Sequence, residues 1–323
     1  MKYKKKLFLL LLLLVATVMA GLYFGSAVLP PADFFAAFFG VGSETNHTIL
    51  FSLRLPRIAA GILAGVGLAP SGVLLQTVTA NELASPNIIG INSGAGLAVI
   101  LTLTMMPGAA KVLPLAAFVG AFGGAMCILL AADRLSGSRS AILLIGIAIT
   151  TLLNAAISFL SLLDEDVLAQ YNHFTVGSLK AVYLDELRLP ALIIVSAFLA
   201  AMLLSGQLGT LCLGDSAAAA LGVRVKRLRI GALACAAAGS FAGLLGFAGL
   251  IVPHIARYLV GGKPARMLPV AALLGAVIVV LADLLGRTLF APSELPVGIL
   301  MSLMGAPYFL ILLCRRRQIA PIS

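Results

Sequence analysis

The stretch Gly243-Leu-Leu-Gly-Phe-Ala-Gly-Leu-Ile-Val-Pro-His-Ile-Ala-Arg257 decides how the chain is read. It is almost wholly apolar, yet it carries residues that a simple membrane span avoids. Gly246 and Gly249 let a neighbouring backbone come close, and Pro253 removes a helix hydrogen bond. His254 and Arg257, three apart, share one helical face and are costly to expose to lipid. Such a segment belongs inside a helix bundle or at a helix break, where other helices satisfy the freed backbone groups. Taken alone, it also reads as a kinked structural helix with a snorkelling arginine.

The rest of the chain sets the context. Of 323 residues, 61% are hydrophobic and only 11% charged, whereas soluble domains carry about a quarter charged residues. Repeated apolar runs, each near the ~20 residues that span a bilayer, make this a polytopic all-α membrane protein. The net charge of +10 does not point to nucleic acid, because the basic residues cluster in short connections between apolar runs. Cys127, Cys212, Cys235 and Cys314 are widely spaced, with no Cys-x-x-Cys, which is neither a disulfide framework nor a zinc site. Trp is absent, so interfacial anchoring falls to Tyr and Phe.

Lys2, Lys4, Lys5 and Lys6 precede an apolar run over 7–28. It resembles a signal peptide with Val18-Met19-Ala20 as cleavage site, but its length and the spans that follow favour an uncleaved first helix with a cytoplasmic N-terminus. An outside connection rich in Pro, Gly and acids follows, with a short interfacial helix over 34–39. Arg54-Leu-Pro-Arg57 leads into a Gly-rich span ending near Thr79, in which Gly61, Gly65 and Gly67 supply a close-packing face. Asn81-Glu-Leu-Ala-Ser-Pro86 is a cytoplasmic turn. Further spans are expected over 88–106, up to 132, 141–163 and 189–205, with a polar outside segment over 164–188 that contains a short helix. Residues 207–229 form the longest cytoplasmic segment, with a surface helix in Gly214–Arg227. Spans over 230–245, 251–259, 268–289 and 297–313 complete about ten, with both termini inside. Charge supports the parity: inside segments hold Arg134, Arg139, Arg224, Lys226, Arg227, Arg229, Lys263, Arg266 and Arg315–Arg317, while outside ones hold only Arg54, Arg57, Lys111, Lys180, Arg188 and Arg287.

Several blocks, in this order, resemble the FecCD-type permeases of bacterial ABC importers for iron-siderophore, haem and cobalamin. They are Arg54-Leu-Pro-Arg57, Ser71-Gly-x-x-x-Gln76, Asn81-x-Leu-Ala-x-Pro86-x-x-x-Gly90, Gly177-Ser-Leu179 and Leu213-Gly-Asp-x-Ala-x-x-x-Leu-Gly222. Gly246-Phe-x-Gly-Leu-Ile-Val-Pro-His-Ile-x-Arg257, Ala282-Asp283-x-x-x-Arg287, Glu294-Leu-Pro296-x-Gly298 and Gly305-Ala-Pro307 follow. The resemblance covers the chain from Arg54 to its end. It implies one transmembrane permease domain over residues 1–323, working as a homodimer or with a close paralogue. Phe174 stands where relatives often carry Trp.

The resemblance implies roles as well. The segment with Gly214, Asp215, Ala218, Leu221, Gly222 and Arg224 is the ATPase-coupling element; by charge alone it is a basic cytoplasmic loop. Arg54, Arg57 and Arg287 meet carboxylates of an extracytoplasmic substrate-binding protein, or otherwise anchor at the interface. Asn81 and Leu83, with Ser138 and Ser140, belong to a cytoplasmic gate; an ordinary tight turn also accounts for the serines. Gly246, Gly249, Pro253, His254, Arg257, Asp283, Glu294 and Pro296 are structural. Asp283 lies inside an apolar run and serves either a proton relay or a structural ion pair, Arg287 being one turn away.

The chain has no Gly-x-x-x-x-Gly-Lys-[Ser/Thr], so it does not cradle ATP by itself and no cofactor is expected on it; the resemblance implies that ATP and Mg belong to a partner ATPase dimer. No catalytic or metal-ligating constellation stands out. The expected function is import of a metal chelate, an iron-siderophore first, across the bacterial inner membrane. The rival is an ion-coupled secondary transporter that uses Asp283 and His254.

Overall fold

The computed structural model of the chain describes residues 3–317 except 28, 87–89, 109–111, 136–138, 178, 180–181, 240–246, 290 and 292. Every regular element among these residues is helical. The order is α1 (Tyr3–Tyr23), α2 (Pro31–Phe38), α3 (Glu44–Thr48), a π-helical segment (Ile49–Arg54), α4 (Leu55–Thr79), α5 (Ile91–Met105), α6 (Leu113–Leu135) and α7 (Arg139–Ser161). Then come α8 (Glu165–Thr175), a 3-10 turn (Leu184–Leu187), α9 (Arg188–Leu211), α10 (Asp215–Ala220), α11 (Val225–Ala237), α12 (Ala248–Val260), α13 (Pro264–Thr288) and α14 (Val297–Arg317).

Six helical segments, those containing α1, α4, α6, α7, α9 and α13, are long and apolar enough to cross a membrane. The apolar helices α5, α12 and α14 are shorter in their apolar part. Helix α11 has three cations, Lys226, Arg227 and Arg229, in its first five residues.

Helices α4 and α13 form the centre, with 78% and 72% of their apolar windows buried, against 17%, 11% and 17% for α1, α7 and α9 at the rim. The reason lies in small residues. A Cβ on Gly65 would sit 2.2 Å from the carbonyl carbon of Gly275, so α4 and α13 touch backbone to backbone. On another face of α4, a Cβ on Gly72 would sit 1.8 Å from the carbonyl oxygen of Gly249 in α12. Lipid supplies no hydrophobic drive between apolar helices, so such close van der Waals packing is what associates them. The Ser71 hydroxyl lies 2.6 Å from Gly67 O and 2.8 Å from Ala236 O, tying α4 to α11.

The short outside helices form for local reasons. Pro31 opens α2 in the first turn, where its missing N–H costs nothing; the helix runs Pro31–Phe38 rather than over 34–39. The Asp164 carboxylate caps α8 by accepting from the Asp166 and Val167 amides, a standard N-cap arrangement. The expected connection over 207–229 is shorter than anticipated. Leu208 and Leu211 are buried and carry α9 onward, and Leu228 and Arg229 are buried in α11.

Candidate functional site

At the N-terminal end of α4 the chain gathers three guanidinium groups and two carboxylates. Arg57 Nε donates to Asp283 Oδ1 and Oδ2 at 2.9 and 3.0 Å, and its Nη1 reaches Glu294 Oε2 at 2.8 Å. One arginine of α4 thereby holds α13 and the segment before α14 together. Arg287, one turn beyond Asp283, approaches it only to 3.6 Å and donates from Nη2 to Gly21 O at 2.6 Å. Among the described residues its Nε finds no hydrogen-bond partner.

Arg54 leaves the π-helical segment and donates to the carbonyls of Leu22 and Tyr23, at 2.6 and 2.7 Å, and to that of Ala27. Unpaired carbonyls at the carboxyl end of α1 carry partial negative charge, which suits two buried cations. The group of five keeps one net positive charge. Beside it lies a cavity of about 400 Å³ whose lining includes Arg54, Arg57, Arg287, Glu294, Leu179 and Tyr183.

This geometry corrects the outward-facing picture of the arginines. Arg54 and Arg287 are 4% and 2% exposed and are bonded to backbone, because a cation in apolar surroundings needs fixed acceptors. Only Arg57 and Glu294 keep side-chain exposure above a tenth, at 12% and 13%. Asp283 has an ion-pair role as anticipated, but its principal partner is Arg57 rather than Arg287. The Arg57 pairing crosses 226 residues of sequence, which local spacing cannot reveal. The clue lay in acids and arginines sharing the outside segments.

The other end of α4 closes on Ala80, with φ +46, and turns through Asn81, whose side chain accepts from the Leu83 amide at 2.8 Å. Leu83 is exposed, while Ala84, Ser85 and Pro86 are buried. Glu82 in this turn pairs with Arg257 of α12 at 3.0 Å. The His254 ring lies 6.5 Å from that of Tyr308, and a small recess is lined by Glu82, Leu83, His254 and Tyr308. Helix α12 starts after Phe247, at φ +67, with Gly249 and Pro253 buried. Arg257 therefore turns to an acid in the turn rather than to lipid. Pro296 lies just before α14 and its carbonyl accepts from Ile299. Gly246 and Ser138 lie outside the described residues; Ser140 stands in the first turn of α7.

Arg57 and the Asn81 turn are separated by nearly the whole of α4, about 35 Å at 1.5 Å per residue. Asp283 belongs to the first end and His254 to the second, so they do not form the single ion site that a secondary transporter would need.

Between α9 and α11, Gly214 at φ +107 and Gly222 at φ +81 bracket α10, conformations in which a side chain would be strained. Asp215 at the start of α10 bonds Arg229 of α11 at 2.7 Å. Ala218 is fully buried, which corrects its expected place on a docking face. The exposed residues are Cys212, Leu213, Ser216, Ala219, Ala220, Leu221, Gly222 and Arg224. Arg229 was counted as a loop cation; it is 8% exposed and holds α10 in place.

The FecCD transport family model matches residues 12–315. The ferric enterobactin transport system permease protein FepD of Escherichia coli (strain K12) is 37% identical, over 96% of this chain and 95% of its own. The hemin transport system permease protein HmuU of Yersinia pestis is 39% identical, over 84% of each chain. A solved structure described as an inward-facing conformation of a metal-chelate type ABC transporter superposes with a TM-score of 0.82 at 31% identity, covering 97% of this chain and 99% of that one. The membrane-spanning character, the all-helical fold and the ordered sequence blocks agree with this match, and the chain belongs to the FecCD transport family.

Proposed function

We propose that this chain is the permease half of a binding-protein-dependent ABC importer in the bacterial inner membrane, carrying a metal chelate, an iron-siderophore first among them. Its ten longer helices, α1, α4–α7, α9 and α11–α14, are the spans, with both termini in the cytoplasm. Two permease copies, identical or paralogous, enclose the pathway, and a separate ATPase dimer that binds ATP and Mg drives it. A substrate-binding protein lands over the Arg-lined cavity, where residual positive charge orients an acidic partner. Asn81 and Leu83 narrow the opposite end.

The observation that carries this reading is α10. A two-turn helix is too short to be stable alone, yet it is held by the Asp215–Arg229 bridge and a buried Ala218. It presents exposed Leu213 and Leu221, a rigid apolar knob suited to a groove on a moving partner. The test is co-expression with the P-loop ATPase subunit of a chelate importer from the same organism, followed by co-purification in detergent. Wild type should retain the ATPase and Leu221→Glu should lose it while staying monodisperse. An ATPase that never associates with the wild type, together with uptake driven by an ion gradient alone, overturns the reading.

A further inference from the structure

The N-terminal ends of α1 and α13 meet, although they lie far apart in sequence. Lys6 Nζ donates to the carbonyl of Leu259, 253 residues on. The Arg266 guanidinium stands 6.0 Å from the centre of the Tyr3 ring. These contacts set the run Lys4–Lys6 beside Lys263 and Arg266. Lys4, Lys5, Lys263 and Arg266 are all exposed, and none pairs with a carboxylate among the described residues.

We propose that this junction is a binding site for the headgroup of an anionic phospholipid. Three observations converge on it. The cations come from two separate segments, so the positive field is assembled by the fold rather than by one basic run. Helix α13 begins there with no side-chain cap, so its positive end is free to meet an external anion, while Lys6 occupies the Leu259 carbonyl at the carboxyl end of α12. Along α1, whose Tyr3, Lys6 and Leu10 face turns to the junction, Leu9 and Leu13 border it one and two turns deeper and are 49% and 45% exposed, whereas Phe8 and Leu12 stand on the far face of the helix. Cations at the rim with an apolar wall one turn deeper match a phosphate followed by acyl chains. A free phosphate would make no use of that wall, whereas basic pockets between membrane helices hold acidic lipids.

The connection between α10 and α11 provides the comparison. Arg224 and Arg227 are exposed cations too, but they come from one run and do not adjoin the apolar surface of α1. If positive charge merely keeps a segment on one side of the membrane, the two places should hold lipid equally.

The test reconstitutes the full chain in nanodiscs of phosphatidylcholine doped with phosphatidylglycerol, and measures retained lipid by native mass spectrometry after detergent release. Wild type should keep phosphatidylglycerol in preference to phosphatidylcholine. The double variant Lys263→Gln, Arg266→Gln should keep it about twenty-five-fold less well, from two cations of about fivefold each. The equally charge-depleted Arg224→Gln, Arg227→Gln should match wild type. A thermal melt of each variant in neutral detergent checks folding, so that a collapsed protein is not counted as lost binding. Equal retention of both lipids by wild type, equal losses in the two double variants, or wild-type retention by Lys263→Gln, Arg266→Gln each overturns the proposal. So does full displacement of the lipid by inorganic phosphate at matched ionic strength, which makes the junction a phosphate site.

Discussion

Arg57 of α4 and Asp283 of α13 meet through two guanidinium nitrogens, with Nη2 2.8 Å from Oδ1 and Nε within 3.0 Å of both carboxylate oxygens. The Asp283 side chain is 3% exposed and that of Glu294, the second acid on Arg57, is 13% exposed. Breaking a buried pair from one side leaves an uncompensated charge, which costs about 3–5 kcal/mol. Asp283→Asn should therefore lower the detergent melting midpoint far more than Glu294→Gln. Replacing both partners, as Arg57→Met with Asp283→Leu, should recover much of the loss, because no charge is left stranded. Equal midpoints for Asp283→Asn and wild type would remove the pair from the list of forces holding α4 to α13.

The helix pattern was readable from the sequence because apolar length and charged punctuation are local signals. The end of α4 at Thr79, the short helix between 164 and 188, and the surface helix after Gly214 all appear in the structure. What local signals cannot carry is which face turns inward. Ala218 looked like part of a docking face because a run of four alanines has no polarity contrast, and only packing against the body of the protein decides that Ala218 is the buried one. Arg54 and Arg287 looked like outward cations because their acceptors are backbone carbonyls of α1, and backbone acceptors leave no trace in side-chain identity. Arg229 was hidden for the same kind of reason: its partner Asp215 lies across a turn that the alanine run obscures.

Close approach of α4 to α12 rests on Gly72. A methyl group there would overlap the Gly249 carbonyl oxygen at 1.8 Å, and backbone cannot yield as a side-chain end can. Gly72→Ala should separate the two helices, lowering the yield of folded protein, with an overpacking cost of about 1–3 kcal/mol or more. Gly123→Ala is the matched control, since a Cβ at Gly123 meets nothing within 4 Å among the described residues. If both variants melt with wild type, the backbone contact between α4 and α12 is not what orders them.

Glu82 and Arg257 join the turn after α4 to α12 with both side chains about a third exposed, at 31% and 33%. Solvent screening limits such a pair to roughly 0–1 kcal/mol, so its contribution lies in aligning the turn more than in stability. In a double-mutant cycle, Glu82→Gln and Arg257→Gln should each shift the melting midpoint little. The exchanged pair Glu82→Arg, Arg257→Glu should restore whatever uptake in proteoliposomes the single variants lose. Uptake unaffected by either single change would show that the turn keeps its place without the bridge.

The α10 segment separates stability from docking by residue. Ala218 is fully buried and Leu221 is 63% exposed, only three positions apart. Ala218→Asp places a carboxylate in the core beside α9 and α11; an unpaired buried charge is among the few single changes that cost several kcal/mol. It should reduce folded yield whether or not a partner is present. Leu221→Glu puts its charge into water and should leave the melting midpoint within about 0.5 kcal/mol of wild type while abolishing association with the ATPase. Thermal melts and co-purification, measured on the same preparations, distinguish the two effects. If Leu221→Glu binds the ATPase as wild type does, the contact lies elsewhere on the segment, and exposed Leu213 and Arg224 are the next positions to change.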